Sequence, residues 1–229
     1  MARIHIVGSG DTLSEIARTY YGDASLYKKL AEYNGIVNPN LIIIGQVLEI
    51  PPKAELLGGI PEPPEQDHGI VRPHGLEQII KTFGNIHRYV TADSTLKPSW
   101  ETEHLGRVKL PFAIPLSWDR SQNVTRLYCH NKLKDVFRAV FEEIAANDLS
   151  NKIISYGGCF NYRVIRNSSK LSTHSWGIAI DLNPETNRTG TPGDMDPQIV
   201  AVFRQHGFKW GGDWTGRKDP MHFQYCSGY

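Results

Sequence analysis

The sequence of 229 residues has few cysteines, almost no excess charge and no long apolar run. Its three cysteines, Cys129, Cys159 and Cys226, are odd in number and irregularly spaced, which is typical of reduced thiols and argues against a disulfide framework. Lys and Arg total 25 against 24 for Asp and Glu, so no strong attraction to nucleic acid or to an anionic membrane is expected. No stretch approaches the roughly 20 apolar residues of a membrane span. We therefore expect neither nucleic-acid binding nor membrane insertion.

The first fifty residues show a strand, two helices and a second strand. Residues 3–7 alternate as a short strand, and Thr12-Leu-Ser-Glu15 is a capping box that opens a helix. A second helix should stop at Asn34-Gly35, and residues 45–50 have the pattern of a closing strand. The sequence therefore predicts a small βααβ unit.

This order resembles a LysM module, with Gly-Asp-Thr-Leu at residues 10–13, Asn34 in the middle and Gly-Gln-Val-Leu-Glu-Ile-Pro at residues 45–51. Such modules bind glycans that contain N-acetylglucosamine, in a shallow groove between the loop after the first strand and the loop before the last. The resemblance implies peptidoglycan as the partner. It places the groove at Gly10, Asp11, Thr12, Leu13, Asn40, Leu41 and Ile42. The aliphatic residues 41–44 depart from the usual pattern, and they either change the affinity or belong to the core.

Five prolines fall within residues 51–67. Because proline disrupts a helix interior and favours extended chain, this segment is predicted to contain no regular helix and to act as a semi-rigid tether. We expect a LysM domain over residues 1–51, a Pro-rich linker over 52–69 and a second domain over 70–229.

The second domain combines helices with a small antiparallel sheet. Apolar stripes predict helices over residues 76–83 and 133–144, and Asp196-Pro197 should cap a further helix that ends at Gly207. Residues 152–156 are predicted to form a strand, and residues 85–128 a mixed region that covers the sheet. The fold class predicted for the chain is α+β.

Two segments carry the chemistry of a metal site. In residues 177–182 the branched residues alternate with small ones, so a strand here turns Asp181 toward an uncrowded face. In residues 221–225 the same period puts His222 and Gln224 opposite the core positions. His174 lies just before the first strand, so two strands can present His174, Asp181 and His222 to one point. Catalytic zinc takes three such ligands and keeps a fourth position for water.

Asp219 lies three residues before His222, in a segment too short and too rich in proline for a helix. A metal lowers the pKa of a bound water to about 7, and a nearby carboxylate can then accept its proton. Asp219 is therefore the predicted general base. An Asp before Pro is also a common turn residue.

The pattern Ser-x-His-x-x-Gly-x-Ala-x-Asp at residues 172–181, followed by an acidic residue three before a His, resembles a family of zinc peptidases. The family includes VanY-type D-Ala-D-Ala carboxypeptidases, VanX-like dipeptidases and phage L-Ala-D-Glu endopeptidases. Many members carry Glu where this chain has Asp219. That Asp, with Trp-Gly-Gly-Asp-Trp at residues 210–214, is similar to the phage and cell-wall endopeptidases and less so to the dipeptidases.

The family resemblance also implies residues that bind the substrate. An Arg upstream of the first motif stabilises the oxyanion, and such a donor is worth about 3 kcal/mol; Arg163 fits that position better than Arg166. Gly211 and Gly212 would let the substrate approach the backbone. The residues expected to bind substrate are Ser172, Trp176, Asp213 and Trp214. The alternatives are a turn or ligand-orienting role for Ser172, packing for the tryptophans, and a hydrogen bond to a ligand histidine for Asp213.

A wall-binding module joined to a wall-peptide hydrolase resembles a phage or prophage endolysin. Residues 1–7 show no signal peptide, so we expect the protein to stay in the cytoplasm until a holin opens the membrane. We expect the protein to be a monomer. Its expected activity is cleavage of the stem peptide between L-Ala and D-Glu. D-Ala-D-Ala carboxypeptidase activity shares both motifs, and a non-catalytic wall-binding protein is an alternative of a different class.

Overall fold

Two units make up the chain, Met1–Glu62 and Pro63–Tyr229, and each is described by itself. The computed structural model describes residues 3–57, 65–166 and 168–229. No helix within these ranges is both long enough and apolar enough to cross a membrane.

The smaller unit has the predicted strand–helix–helix–strand order followed by one more helical turn. Its elements are β1 (Arg3–Ile6), α1 (Leu13–Tyr21), α2 (Tyr27–Tyr33), β2 (Val47–Ile50) and α3 (Lys53–Leu56). Strands β1 and β2 pair antiparallel. The side chain of Thr12 accepts a hydrogen bond from the backbone N–H of Glu15 and donates one to its carboxylate, so the capping box forms as predicted. Gly22 ends α1 in the left-handed conformation, at φ 70°.

The helical turn α3 contradicts the expectation that the proline-rich segment contains no helix. Pro51 and Pro52 precede the first helical residue, where a missing N–H leaves no helix hydrogen bond unmade. The N–H of Leu56 donates to the carbonyl of Pro52 at 3.0 Å, and the Leu56 side chain is buried in the core of the smaller unit. This burial stabilises the turn.

The other end of the expected linker belongs to the larger unit. The N–H of Gln66 donates to the carbonyl of Gln205, and His68 is hydrogen-bonded to His206 at 2.8 Å. Residues 65–69 are therefore held against a helix end and are no free tether. Residues 58–64 of the expected linker lie outside the described residues.

The larger unit contains helices and two antiparallel sheets, so the predicted α+β class is confirmed. Its elements are α4 (Gly75–Phe83), α5 (Pro98–His104), β3 (Leu105–Pro115), β4 (Asn123–His130), α6 (Lys134–Ala146), β5 (Tyr156–Gly158), β6 (Ala179–Leu182), α7 (Pro197–Gln205), β7 (Lys209–Trp210) and β8 (His222–Gln224). Strands β3 and β4 form one sheet, and the second has the order β5-β6-β8-β7.

The core of the larger unit is one cluster of buried residues to which both sheets and helices α4, α6 and α7 contribute. Five buried side chains form the apolar face of α6, namely Val136, Phe137, Val140, Phe141 and Ile144. Phe203 of α7 stacks on Phe223 of β8, with ring centres 4.2 Å apart. Because burying one such side chain contributes about 1.5–3 kcal/mol, this contact holds β8 firmly against the core.

Most of the β3–β4 pair lies in residues 85–128, for which the sequence predicted no individual element, and the last two residues of β4 lie just beyond. The register runs from Leu105 opposite His130 to Pro115 opposite Asn123, with an irregularity between Lys109 and Ile114. Pro111 falls within that irregular stretch, where a strand tolerates a residue that cannot donate to its partner. The proline therefore obscures the strand pattern in the sequence without preventing the pairing.

The strand predicted over residues 152–156 is wrong for most of its length. Only Tyr156 belongs to β5, because the side chain of Asn183 takes the place of a neighbouring strand. Its Oδ1 accepts from the N–H groups of Ile154 and Ser155, at 2.8 and 3.1 Å. Its amide donates to the carbonyl of Lys152. These bonds satisfy the backbone without a sheet ladder.

His130 at the end of β4 is buried and neutral. Its Nε2 donates to the carbonyl of Phe83 at 2.9 Å, and its Nδ1 accepts from the N–H of Lys132. Burial lowers the pKa of His130 from 6.5 to about 4.

This lowered pKa predicts a loss of stability in acid. Between pH 6.5 and 4 the unfolded chain binds a proton that folded His130 does not, so the free energy of unfolding should fall by about 3 kcal/mol from pH 7 to pH 4. His130→Gln removes the titrating group. The difference in free energy of unfolding between the wild type and this variant should therefore shrink by about 3 kcal/mol from pH 7 to pH 4. Urea titrations followed by tryptophan fluorescence measure it, because all five tryptophans lie in the larger unit. A difference that stays constant with pH would contradict this assignment.

Candidate metal centre

The two central strands of the four-stranded sheet bring two polar side chains together. In the antiparallel pair β6–β8, Asp181 lies directly opposite His222. Side chains of directly opposed residues project from the same face of a sheet. The opposite face carries Ile180, Leu182 and Phe223, which are buried in the core. Core packing therefore fixes which face presents Asp181 and His222.

A turn before β6 brings His174 to the same face. Residues Thr173–Trp176 form a 3₁₀ turn, and the side chain of Ser172 accepts from the N–H of His174 at its start. Gly177 ends the turn in the left-handed conformation, at φ 67°, and its carbonyl accepts from the N–H of His130 at 2.9 Å. A Cβ at Gly177 would lie 2.9 Å from that nitrogen. Only glycine fits between the turn and the β4 end.

His174, Asp181 and His222 form a triangle of ligand atoms. His174 Nε2 lies 3.1 Å from His222 Nδ1 and 3.2 Å from Asp181 Oδ1, and His222 Nδ1 lies 2.9 Å from the same oxygen. Ligands about 2.0–2.1 Å from a tetrahedral zinc ion lie about 3.3 Å from one another. This set of two imidazoles and one carboxylate therefore fits a divalent metal ion, and the structure brings together the three residues that the sequence predicted as ligands.

Hydrogen bonds on the outer side of each histidine direct its other nitrogen toward the centre. His174 Nδ1 donates to the carbonyl of Cys159 at 2.7 Å, and His222 Nε2 donates to Gln224 Oε1 at 3.0 Å. Thr173 Oγ1 also donates to that amide oxygen. Such partners fix the tautomer and the ring orientation of metal-binding histidines. The sequence reasoning did not assign these partners, although the alternation of residues 221–225 already placed Gln224 beside His222.

The charge state of the cluster suits a cation. Burial alone would raise the pKa of Asp181, but contacts with His174 and His222 outweigh it and hold the pKa far below its usual range. Burial lowers the pKa of His222, whereas Asp181 raises it, and the net effect is upward. A metal ion that binds here therefore competes with a proton on His222.

Asp219 lies in a tight turn beside the cluster. Its N–H donates to the carbonyl of Gly211, and its own carbonyl accepts from the N–H of His222, both at 3.0 Å. Thr189 Oγ1 donates to Asp219 Oδ1 at 2.9 Å. Burial and the nearby charge of Asp181 raise the pKa of Asp219, although His222 and Thr189 oppose the shift. A carboxylate with a raised pKa beside a metal centre has the character of a general base.

The two glycines of residues 210–214 are closely packed against other parts of the protein. A Cβ at Gly211 would collide with the backbone of Asp219, and one at Gly212 with the ring of Trp210. Trp210 Nε1 donates to the carbonyl of Pro220 at 2.7 Å. Gly211 thus lies directly against Asp219, and the expected approach of substrate to these glycines stays a prediction.

The main chain of Arg163 is tied to the turn that carries His174. Its N–H donates to the Ser175 hydroxyl at 3.1 Å, and its carbonyl accepts from the N–H of Ser172 at 2.9 Å. Its side chain is exposed, as is that of Arg166, and neither makes an ion pair within the described part of the chain. The oxyanion role of Arg163 remains a prediction.

Two of the four residues expected to bind substrate have other partners. Trp176 is 0% exposed and donates to the carbonyl of Gly84, so it is a core residue and the expected groove contact is wrong. Asp213 accepts two hydrogen bonds from Arg204, at 2.6 and 2.7 Å, and does not hold a ligand histidine. Ser172 is buried at the His174 turn, where its hydroxyl accepts from the N–H of His174, and its role as a ligand-orienting or substrate-binding residue stays a prediction. Trp214 remains beside the centre, with its ring 5.6 Å from that of His222.

The residues expected to bind glycan occupy two loops of the smaller unit. Leu13 is 2% exposed and belongs to the core, so its side chain is not available to a ligand. Asp11 is half-buried and hydrogen-bonded to His5 and to the N–H of Gly8. Gly10, Thr12, Asn40 and Leu41 are exposed, and Ile42 is partly exposed. Leu41, Ile43 and Ile44 are 65–69% exposed, which excludes the alternative that the whole run is core.

Comparison with known proteins finds relatives for a limited part of the chain. An uncharacterized protein of Deinococcus radiodurans is 56% identical over 48 residues, 21% of this chain and 19% of that protein. An esterase of Mycobacterium tuberculosis is 54% identical over 46 residues, 20% of this chain and 10% of the esterase. The potassium binding protein Kbp of Escherichia coli is 46% identical over 52 residues, 22% of this chain and 35% of that protein. The chain thus spans about a tenth to a third of the length of these relatives.

Two family descriptions match separate parts of the chain. Residues 5–51 match the LysM domain, and residues 166–225 match D-alanyl-D-alanine carboxypeptidase. The second match contains His174, Asp181, Asp219 and His222, whereas Arg163 lies just before it. The chain therefore carries an N-terminal LysM domain and, over residues 166–225, a domain of the D-alanyl-D-alanine carboxypeptidase family.

Proposed function

We propose that this protein is a zinc-dependent peptidoglycan hydrolase that cleaves the bond between L-Ala and D-Glu in the stem peptide. The observation that carries the proposal is the triangle of His174, Asp181 and His222 beside the half-buried Asp219, in a segment that matches D-alanyl-D-alanine carboxypeptidases. The LysM domain supports peptidoglycan as the polymer on which the peptidase acts.

His174, Asp181 and His222 would hold the zinc ion. Zinc in such a site acts as a Lewis acid and lowers the pKa of water. The hydrogen bonds from His174 to Cys159 and from His222 to Gln224 keep the ligands oriented before any metal binds. A preorganised set of ligands reduces the reorganisation that binding requires.

Asp219 would take a proton from the attacking water and return it to the leaving amine. Thr189 hydrogen-bonds Oδ1 of this carboxylate and so fixes its orientation. Oδ2 has no hydrogen-bond partner in the described ranges and is free to accept the proton. The raised pKa brings the carboxylate closer to the pH at which it works, which favours proton transfer in both directions.

Arg163 would stabilise the negative charge that develops on the substrate carbonyl oxygen. The hydrogen bonds of its main chain to Ser172 and Ser175 anchor it on both sides of His174 in the sequence. Its guanidinium is exposed and unpaired by any described carboxylate, so it is available to a substrate. Arg166 is the alternative donor.

The proposed division of labour follows the two units. The LysM domain, residues 1–51, would bind glycan through Gly10, Asp11, Thr12, Asn40, Leu41 and Ile42, and residues 70–229 would form the catalytic domain. The proposed biological role is that of a phage endolysin released by a holin. D-Ala-D-Ala carboxypeptidase activity is a second candidate, because the family matched by residues 166–225 carries that description.

The first prediction of this proposal concerns the metal. Chelation should abolish hydrolysis and added zinc should restore it, while His222→Ala should lose the ion because two ligands hold it too weakly. Metal analysis after gel filtration should find about one zinc per wild-type chain. His5→Ala, in the smaller unit, is the control and should keep it. A metal-free preparation with full activity would exclude zinc catalysis.

The second prediction separates the base from the ligands. Asp219→Asn should keep about one zinc per chain, because the residue lies outside the ligand triangle, but lose roughly 10²–10⁴-fold in turnover. Asp135→Asn is the control, since this exposed carboxylate lies on α6 and, among the residues that the structure describes, pairs with Arg138 alone. Turnover is measured on a soluble stem peptide. Loss of zinc from Asp219→Asn would make Asp219 a ligand instead.

The third prediction tests the two units separately. Residues 65–229 contain every proposed catalytic residue, so this fragment should cleave a soluble stem peptide at close to the full-length rate. On insoluble wall the fragment should be slower at low enzyme concentration, because tethering raises the effective concentration without adding catalytic contacts. Residues 1–57 alone should sediment with peptidoglycan. If the fragment cleaved walls as well as the full chain at every concentration, the LysM domain would have no part in catalysis on the wall.

A further inference from the structure

The sheet face that carries the proposed metal ligands continues to the edge strand β7. In the pair β6–β8, Ala179 lies opposite Gln224, and in the pair β8–β7, Gln224 lies opposite Lys209. Since opposed residues share a face and alternate residues return to it, Lys209 projects from the same face as His222. A lysine therefore stands at the edge of the metal-binding face.

This lysine lines a cavity of about 510 Å³ together with residues that contact the metal ligand His222. Lys209, Trp210, Trp214, Gln224 and Tyr229 are among the residues that line it. Gln224 is hydrogen-bonded to His222, and the Trp214 ring lies 5.6 Å from the His222 ring, so the cavity begins beside a metal ligand. Its volume lies within the range of about 300–1,000 Å³ that holds small ligands.

The charge in this cavity is positive and unpaired. The ammonium group of Lys209 makes no ion pair or hydrogen bond with any described residue. Asp213 is the acidic residue of the lining, and its carboxylate is already held by two hydrogen bonds from Arg204. The exposed lysine charge beside aromatic walls is therefore left for a ligand, and an anion that enters the cavity can pair with it.

The walls of the cavity are fixed by hydrogen bonds that do not involve a ligand. The N–H of Ser227 donates to the carbonyl of Pro73, and the Tyr229 hydroxyl donates to the carbonyl of Leu171 at 2.9 Å. On the opposite side, Trp210 is bonded to Pro220. A preformed cavity loses little entropy when it binds a ligand.

We propose that Lys209 and this cavity form a subsite for a carboxylate group of the peptide substrate, close to the scissile bond. Two strand residues of about 3.3 Å each separate His222 from Gln224, and Lys209 lies one strand further, about 4.8 Å away, so it stands about 8 Å across the sheet from the metal ligand. An extended peptide covers that length in about two to three residues. The subsite therefore selects substrates with a carboxylate within about three residues of the bond that is cut. This inference rests on the proposed peptidase function.

Two sources of such a carboxylate exist in a stem peptide, the free α-carboxylate of the D-Glu residue and the terminal carboxylate of D-Ala-D-Ala. The test uses two pairs of synthetic peptides in which one or the other of these groups is free or converted to the amide. In one of the two pairs, the zinc-loaded full chain should cleave the peptide with the free carboxylate about 5- to 30-fold more efficiently in kcat/KM than its amide. An effect of that size lies between the contribution of an exposed ion pair and that of a hydrogen bond to a charged group. The pair that shows the preference identifies the source.

Lys209→Met should abolish this preference and leave the rate on the amidated peptide unchanged within about twofold, since methionine keeps the apolar stem without the charge. Lys109→Met, an exposed lysine on β3, is the matched control and should keep the preference. In the wild type the preference should also decrease as the salt concentration rises. If the wild type cleaves peptides without preference, or if Lys209→Met keeps it, the subsite is excluded and the peptidase function stands. If the wild type cleaves none of the four peptides, the peptidase function itself fails and the subsite with it.

Discussion

The antiparallel pairing of β6 with β8 is the interaction on which the rest of the larger unit's chemistry depends. It sets Asp181 against His222 and continues beyond the strand ends, where Leu182 donates to Met221 and Tyr225 donates to Ile178. The side chains of Ile180 and Phe223 fix the register from the core side. A slip of β8 by one residue would turn His222 toward the core and Phe223 onto the face that carries Asp181. The hydrophobic face of the sheet thus holds the polar face in place.

The part of the site that could be predicted from the sequence is the part encoded by local periodicity. Alternation around Asp181 and His222 assigned each to a face, and the structure places the three expected ligand atoms within 3.2 Å of one another. Trp176 and Trp214 show the limit of the same reasoning, because both lie near motif residues. Only the three-dimensional packing distinguishes them. The indole N–H of Trp176 donates to the carbonyl of Gly84 in the core, whereas Trp214 lies at the surface beside His222.

The features that the sequence did not reveal all depend on contacts between distant segments. The carbonyl of Cys159 that orients His174 and the amide of Asn183 that replaces a strand beside Ile154 leave no local pattern. The β3–β4 pair is similar, because its prolines obscure the alternation that would have identified it. Conversely, α1 was predicted correctly, since Thr12, Glu15 and Gly22 specify its two ends within a few residues. Features encoded within a few neighbouring residues could be predicted from the sequence, whereas contacts between residues far apart in the chain could not.

Electrostatics joins the fold of the site to its chemistry. A largely buried carboxylate such as Asp181, whose side chain is 16% exposed, is costly unless it is paired, and here the two histidines supply the compensation. The same arrangement raises the pKa of His222, so at low pH a proton occupies the place that a metal ion would take. Asp219 lies outside the triangle, and its pKa rises partly because the Asp181 charge is close. One largely buried carboxylate thus orients the two histidines, attracts a cation and raises the pKa of Asp219, so the three tasks cannot be separated by changing Asp181 alone.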